Sequence, residues 1–222
     1  SPSLEELCAG KKDIVIISSD HTRPVPSRVT MPILLHHIHS AAPEARVRIL
    51  VATGMHRPST HEELVNKYGE EIVANEEIVM HVATDDSMMK KTGTLPSGGE
   101  CIINKIAADC DLLLAEGFIE PHFFAGFSGS RKSVLPGIAS YKTIMYNHNG
   151  QFVNDSHSRA GNLCHNHVNE DMFAAAEMAH LAFVLNVVLN GKHEVIGSFA
   201  GDIHKAHEAG CEFVKSLAGV EP

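Results

Sequence analysis

The sequence contains no tryptophan, no long apolar run and no block of lysine and arginine residues. Because a membrane helix needs about 20 consecutive apolar residues, no transmembrane segment is predicted. The formal net charge is −9 with neutral histidines, which argues against a nucleic-acid partner because phosphate backbones select basic surfaces. The first residues lack a basic stretch followed by an apolar one, so no signal peptide is expected.

Paired cysteines are also missing. The five cysteines are scattered along the chain, are odd in number and form no C-x-x-C pair. This distribution is typical of reduced thiols in a cytoplasmic protein, and it favours neither a disulfide framework nor a cysteine-based zinc site. The residues concerned are Cys8, Cys101, Cys110, Cys164 and Cys211.

Alternating strand and helix patterns run through the 222 residues, of which 44% are apolar. They predict one α/β domain with a mostly parallel, Rossmann-like sheet flanked by helices, and the Asn190-Gly191 turn predicts a C-terminal hairpin. Strands are predicted at residues 13–18, 47–52, 77–82, 111–116, 181–189 and 193–199. Helices are predicted at residues 29–41, 60–68, 102–108, 139–145, 171–180 and 202–217, with residues 84–100 as a loop or hairpin.

Polar side chains follow three of the predicted strands. Asp20, Thr22 and Arg23 follow the first strand, His56 follows the second, and His122 follows the strand at 111–116. Ligands of parallel α/β sheets bind outside the carboxyl ends of the strands. If the three strands are parallel, these groups meet at one edge of the sheet, which predicts a ligand site there.

The segment 120–137, EPHFFAGFSGSRKSVLPG, resembles an anion cradle. Its glycines and serines let the backbone approach a bound group, and Arg131 and Lys132 supply positive charge. The sequence therefore predicts that this loop binds a phosphate group. Holding the phosphate is the commonest role of a lysine in such a loop, and Lys132 could have it.

The histidines leave several alternatives open. His56 and His122 suit an acid–base pair, because imidazole exchanges protons near neutral pH. Both histidines could instead have structural roles, or they could join His148 as ligands of a zinc hydrolase. No carboxylate with H-x-x-E spacing accompanies them, which argues against the zinc enzyme. The sixteen histidines also include His36, His37 and His39, which are interpreted as a solvated helix face.

Four motifs in register make the sequence similar to the nickel-dependent lactate racemase family. They are DHTRPVP, GMHRP, EPHFFAGFSGSRKSVLPG and YNHNGQ, spread between Asp20 and Gln151. The resemblance implies a racemase or epimerase of a small 2-hydroxy acid, with lactate as the default substrate.

The resemblance also implies a cofactor, the nickel-pincer nucleotide, which is a pyridinium-3,5-bisthiocarboxylic acid mononucleotide that holds nickel through one carbon and two sulfurs. By resemblance, Lys132 carries it covalently and His148 is the protein ligand of nickel. His56 and His122 then act as the acid–base pair during hydride transfer. Soft sulfur and imidazole donors agree with the preferences of Ni(II).

The resemblance also implies roles for the other motif residues. Arg23 would bind the substrate, while Asp20 and Thr22 would line the cofactor pocket. The nucleotide phosphate would lie on Ser128, Gly129, Ser130 and Ser133. Accessory enzymes that build the cofactor are the implied protein partners.

The family differs from this sequence in length. Its members are roughly twice as long and have a second domain, so the sequence is expected to be the catalytic part of a two-domain protein. The alternatives to a racemase are the zinc-dependent hydrolase and a non-catalytic domain that binds nickel or a nucleotide. A carrier of that kind would bind its ligand tightly, and replacing His56 with alanine would change no turnover.

Overall fold

The structure is a computed structural model that describes residues 2–217. Within that range the strands are β1 (Asp13–Ser19), β2 (Arg46–Ala52), β3 (Glu77–Met80), β4 (Met89–Thr94), β5 (Glu100–Asn104), β6 (Leu112–Phe118), β7 (Pro121–His122), β8 (Gly126–Phe127), β9 (Leu181–Leu189) and β10 (Val195–Gly201). The helices are α1 (Leu4–Cys8), α2 (Ser27–Ala41), α3 (His61–Tyr68), α4 (Glu70–Asn75), α5 (Lys105–Asp109), α6 (Arg131–Val134), α7 (Tyr141–Asn147), α8 (Gly150–Val153), α9 (His167–Met178) and α10 (Ile203–Leu217). No helix in this range combines the length and the apolar character that crossing a bilayer demands.

A six-stranded sheet in the order β10-β9-β6-β1-β2-β3 forms the centre of the molecule. Its strands pair in parallel from β9 through to β3, and only β10 runs antiparallel, beside β9. This confirms the predicted α/β class, the mostly parallel sheet and the C-terminal hairpin. The carboxyl ends of β1, β2 and β6 therefore lie side by side.

Alternation along the central strands divides the core between the two faces of the sheet. Ile14 and Ile16 of β1 pack into the cluster that contains α2, whereas Val15 and Ile17 pack into the cluster that contains α9. All seven residues of β6 are buried. A strand buried on both faces needs the near-continuous apolar run that the sequence shows, so β6 is fixed between two helical layers.

One predicted element is wrong. Residues 102–108 were expected to form a helix, but Glu100–Asn104 is a strand that pairs antiparallel with β4. Cys101 and Ile103 are buried, so the burial repeats every second residue as in a strand. The helix begins only at Lys105, where the Asn104 side chain accepts a hydrogen bond from the Ile106 amide. The segment 84–100 contains the first arm of this hairpin.

The helix after β2 begins as its sequence predicts. Thr60 accepts a hydrogen bond from the Glu63 amide, and the Glu63 carboxylate accepts one from the Thr60 amide, which completes a capping box. This cap fixes the residue at which helix α3 begins after the loop that contains His56.

Candidate active site

A cleft of about 280 Å³ opens at the carboxyl ends of β1, β2 and β6. Ligands of open parallel sheets bind at this position. All the sequence-predicted site residues except Thr22 and Ser130 line it, namely Asp20, Arg23, His56, His122, Ser128, Gly129, Lys132, Ser133 and His148. The fold therefore brings together groups that are more than 120 residues apart in the chain, from Asp20 to His148.

The buried carboxylate of Asp20 pairs with the exposed imidazole of His56. The Asp20 Oδ2 atom lies 2.6 Å from His56 Nδ1, and Oδ1 accepts hydrogen bonds from the Thr22 hydroxyl at 2.6 Å and amide at 3.0 Å. Burial alone would raise the pKa of Asp20, but the hydrogen bonds from Thr22 and His56 together lower it. An ionised Asp20 places the proton of the neutral imidazole on Nδ1, so His56 Nε2 carries the lone pair. Thr22 thus acts on Asp20 from outside the cleft.

His122 and Lys132 form the second pair in the cleft. The Ala125 amide donates to His122 Nδ1 at 3.2 Å, and Lys132 Nζ lies 3.2 Å from His122 Nε2. Burial, followed by the charges of Lys132 and Arg131, lowers the pKa of His122 to about 3. Burial, followed by the charges of Arg131 and Arg23, lowers the pKa of Lys132 to about 7. Both shifts favour a neutral imidazole beside a neutral amine.

The Phe124 ring packs against the side chains of His122, His148 and Lys132. Its ring meets the His122 ring edge to face at 4.6 Å and the His148 ring at 5.1 Å, and Lys132 Nζ lies 5.6 Å from its centre. This apolar contact excludes water from one side of the amine and both imidazoles. Sequence reasoning did not identify Phe124, although the doublet Phe123-Phe124 follows His122 directly.

His148 is a candidate metal ligand at the end of helix α7. Its Nδ1 atom is buried without a hydrogen-bond partner, and burial followed by the charge of Lys132 lowers its pKa to about 4. A buried polar atom without a partner is uncommon, so this nitrogen is available to a ligand. A neutral imidazole with an unpartnered nitrogen fits the single protein ligand expected of a nickel-pincer site.

A zinc site made by protein side chains alone does not fit the same cleft. Residues 2–217 contain no group of three or more His, Cys, Asp or Glu side chains arranged to hold a metal ion. The alternative set of His56, His122 and His148 is therefore not assembled, because His56 is engaged by Asp20 and His122 by Ala125 and Lys132. A metal at His148 would need donors from a bound group.

Arg23 lies at the mouth of the cleft and is exposed. Its amide donates to the Asp20 carbonyl at 3.3 Å, which holds the turn after β1. Its charge contributes to lowering the pKa values of His122 and Lys132. An exposed guanidinium close to both groups is suited to a carboxylate that enters from solvent.

The serine hydroxyls of the central loop are largely used within the protein. The Ser128 hydroxyl donates to the Phe118 carbonyl at 2.9 Å, and the Ser130 hydroxyl donates to Asn186 Oδ1 at 2.6 Å. Gly129 has φ +120°, and a Cβ there would lie 2.6 Å from a ring carbon of His207. Ser133 lines the cleft itself. Phosphate binding by these four residues stays a prediction.

Arg131 was interpreted from the sequence as a displayed cation, but its side chain points into the protein and is 2% exposed. It donates to the carbonyls of Ala125 at 3.1 Å, Phe127 at 3.0 Å and Ser128 at 2.9 Å, and to Asn169 Oδ1 at 2.8 Å. The planar five-donor guanidinium is suited to such a set of carbonyls. Arg131 therefore fixes the loop that presents Lys132, and only Lys132 faces the cleft.

Replacing Arg131 with methionine should destabilise the protein by about 3–5 kcal/mol, because several buried carbonyls lose their donor at once. Denaturant unfolding followed by circular dichroism would measure this loss. Arg46→Met is the matched control, since Arg46 pairs with Glu77 on the surface and its loss should move the midpoint little. Equal midpoints for the two variants would contradict the clamping role of Arg131.

Sequence reasoning also missed Glu116, the one carboxylate of strand β6. It is fully buried and accepts hydrogen bonds from Ser18 at 2.6 Å, Ser27 at 2.5 Å and Thr30. Glu116 lines the floor of the cleft and ties β1 and the start of α2 to β6. The only signal in the sequence is a charged residue that ends an otherwise apolar run.

The chain is similar to known proteins. Residues 1–161 match the family described as the lactate racemase N-terminal domain. A lactate racemase from Lactiplantibacillus plantarum is 69% identical over 99% of this chain and 52% of its own length. One from Thermoanaerobacterium thermosaccharolyticum is 54% identical over 98% of this chain and 51% of its own length.

Solved structures show the same likeness. The lactate racemase apoprotein from Thermoanaerobacterium thermosaccharolyticum has a TM-score of 0.96 at 52% identity, covering 98% of this chain and 52% of that one. A protein from Thermotoga maritima shares the fold alone, with a TM-score of 0.81 at 23% identity over 96% of this chain and 57% of that one. The chain spans about half the length of the curated relatives it matches. With its first 161 residues matched by the family, the chain belongs to the lactate racemase N-terminal domain family.

Proposed function

We propose that this chain is the part of a lactate racemase that binds the cofactor and performs the acid–base chemistry. The proposal is supported by relatives named lactate racemase and by a cleft that contains two histidines, a lysine beside one of them, and an imidazole nitrogen without a partner. The substrate would be lactate, a small 2-hydroxy acid.

The residues present fit the nickel-pincer nucleotide implied by the sequence motifs. Lys132 would carry it, because a neutral amine is the nucleophile that covalent attachment requires. His148 would supply the imidazole ligand of nickel, since one of its ring nitrogens is buried without a partner. When bound, the group supplies a reversible hydride acceptor.

The chain's own residues would position the substrate and move its hydroxyl proton. Arg23 would bind the carboxylate at the cleft mouth. His56 Nε2, oriented by Asp20, would take the hydroxyl proton of one enantiomer. His122 would serve the other in the tautomer whose Nε2 carries the lone pair, which differs from the tautomer set by the Ala125 amide in the unmodified chain. Inversion at C2 would require that the hydroxyl proton of either enantiomer can be removed. A racemase needs a base for each enantiomer, and this cleft has two.

Attachment at Lys132 would also change the state of His122. In the unmodified chain, His122 Nε2 is engaged by the lysine amine at 3.2 Å. The resemblance implies attachment through a thioamide, whose nitrogen has no available lone pair and so could not accept that hydrogen bond. The modification would therefore release His122 Nε2 to face the substrate.

The pairing of Lys132 with His122 is the observation that carries this proposal, and intact mass with nickel content is the test. The protein would be co-expressed with the cofactor-building enzymes. The expected result is a mass increase that maps to the Lys132 peptide, with about one nickel per chain. No adduct and no nickel in the full-length protein would contradict the proposal.

Replacing Asp20 with asparagine is expected to lower kcat by roughly 10²-fold without releasing the cofactor. The amide cannot hold the Nδ1 proton of His56 as a carboxylate does, and pairs of this kind lose up to roughly 10⁴-fold when the charge is removed. Racemisation assays would give kcat, and intact mass would report the cofactor. An unchanged kcat would show that Asp20 does not act through His56.

A further inference from the structure

The Lys132 amine is surrounded by groups that leave it reactive. Its Nζ atom lies 3.2 Å from His122 Nε2 and 5.6 Å from the centre of the Phe124 ring. No salt bridge joins Lys132 to a carboxylate within residues 2–217, whereas Lys90, Lys91 and Lys142 all form such bridges. The amine therefore lacks the usual partner that would keep a lysine protonated.

The hydrogen-bond pattern at His122 shows which partner carries the proton. The Ala125 amide donates to Nδ1, so Nδ1 bears a lone pair and the proton of a neutral imidazole is on Nε2. An Nε2–H group can only donate, and its neighbour is the Lys132 amine. The amine must then accept, which an ammonium group cannot do. In this arrangement Lys132 is a neutral nucleophile.

The cleft also selects what could reach that nucleophile. Arg23 and Lys132 line the same cleft, and the Arg23 guanidinium is exposed at its mouth. A guanidinium holds a carboxylate, and a neutral amine attacks a carbonyl carbon. A small molecule with both groups on adjacent carbons, a 2-oxo acid, matches this pair.

We propose that Lys132 of the unmodified chain forms an imine with small 2-oxo acids in this cleft. The Nζ lone pair attacks C2, the carbonyl oxygen takes up a proton from solvent, and Nζ releases one proton to solvent, which gives a neutral carbinolamine. A second solvent proton protonates the hydroxyl, towards which His122 Nε2–H can donate a hydrogen bond; the nitrogen lone pair expels water, and the remaining Nζ proton returns to solvent. One amine and one ketone thus yield one imine and one water, with no oxidant or reductant consumed.

This inference is independent of the racemase function. It concerns the chain before any cofactor is attached, and it can hold for a carrier or a racemase alike. If both hold, the two reactions compete, since the same nitrogen cannot be an imine and a thioamide. A 2-oxo acid would then protect the site until the cofactor arrives.

Reductive trapping tests the proposal on the protein as expressed without the cofactor-building enzymes. Pyruvate and sodium cyanoborohydride are added, and the external hydride reduces the imine to a stable secondary amine. Peptide mapping by mass spectrometry then locates the adduct. We expect about tenfold more adduct at Lys132 than at Lys142, an exposed lysine paired with Glu100.

Two variants and one further ligand sharpen the test. Lys132→Arg should lose the preferred adduct, and Lys142→Arg should keep it. Acetone, which has the ketone without the carboxylate, should label Lys132 several-fold less than pyruvate, and Arg23→Met should remove that difference. Equal labelling of Lys132 and Lys142, or no adduct on the Lys132 peptide, would overturn the proposal. Either result would leave the cofactor test unaffected.

Discussion

Lys132→Arg is expected to abolish racemisation in the full-length protein co-expressed with the cofactor-building enzymes. Arginine retains length and positive charge, but its guanidinium stays protonated and offers no nucleophilic nitrogen. The cofactor would have no covalent anchor, so the intact mass should equal that of the unmodified chain. Activity should fall to background, because the hydride acceptor is lost together with the anchor. Enantiomer-resolved lactate assays and peptide mapping would measure both losses.

Lys142→Arg provides the matched control for this experiment. Lys142 is exposed, bridges to Glu100 and does not line the cleft. This variant should retain the adduct, the nickel and full turnover. An adduct that persists in Lys132→Arg would show that the cofactor is attached elsewhere, and full activity in that variant would contradict the assignment of Lys132.

Replacing either histidine of the acid–base pair with asparagine is expected to lower kcat by about 10²- to 10⁴-fold. His56→Asn removes the base held by Asp20, and His122→Asn removes the base beside Lys132. Each variant should keep its covalent adduct and its nickel, since neither histidine is the proposed anchor or ligand. Turnover would be measured from each lactate enantiomer separately, with mass and metal content recorded on the same samples.

His36→Asn serves as the control for these substitutions, because His36 is exposed on helix α2. It should leave kcat unchanged. If His56→Asn and His122→Asn also left turnover unchanged while the cofactor stayed bound, the two histidines would not be the acid–base pair. If the loaded wild-type protein showed no turnover at all, the domain would be a nickel or nucleotide carrier.

Much of this fold could be predicted because its strands carry strong local patterns. The apolar run Leu112–Ala115 predicts a strand buried on both faces, and the alternation of strands with helices predicts its parallel pairing with β1. That pairing brings His56 and His122 to one edge of the sheet. The location of the cleft therefore followed from sequence patterns and one rule about parallel sheets.

What could not be predicted depends on contacts between distant residues. Nothing in the segment SGSRKS indicates that Arg131 turns inward, because its acceptors include Asn169 of helix α9. Residues 102–104, predicted as the start of a helix, belong to strand β5 because its pairing with β4 is a tertiary contact that overrides local preference. The Asp20–His56 contact likewise joins two loops that only the folded sheet brings together.

The contacts of Arg131 have a consequence for the time at which the site becomes functional. Arg131 bonds to Asn169 and meets His207, which lie 38 and 76 residues further along the chain. During translation the Lys132 loop cannot be locked until the ribosome has released helix α10, since domains fold as units. The loop that presents Lys132 would therefore take its final conformation only after helices α9 and α10 have been synthesised and have packed against Arg131.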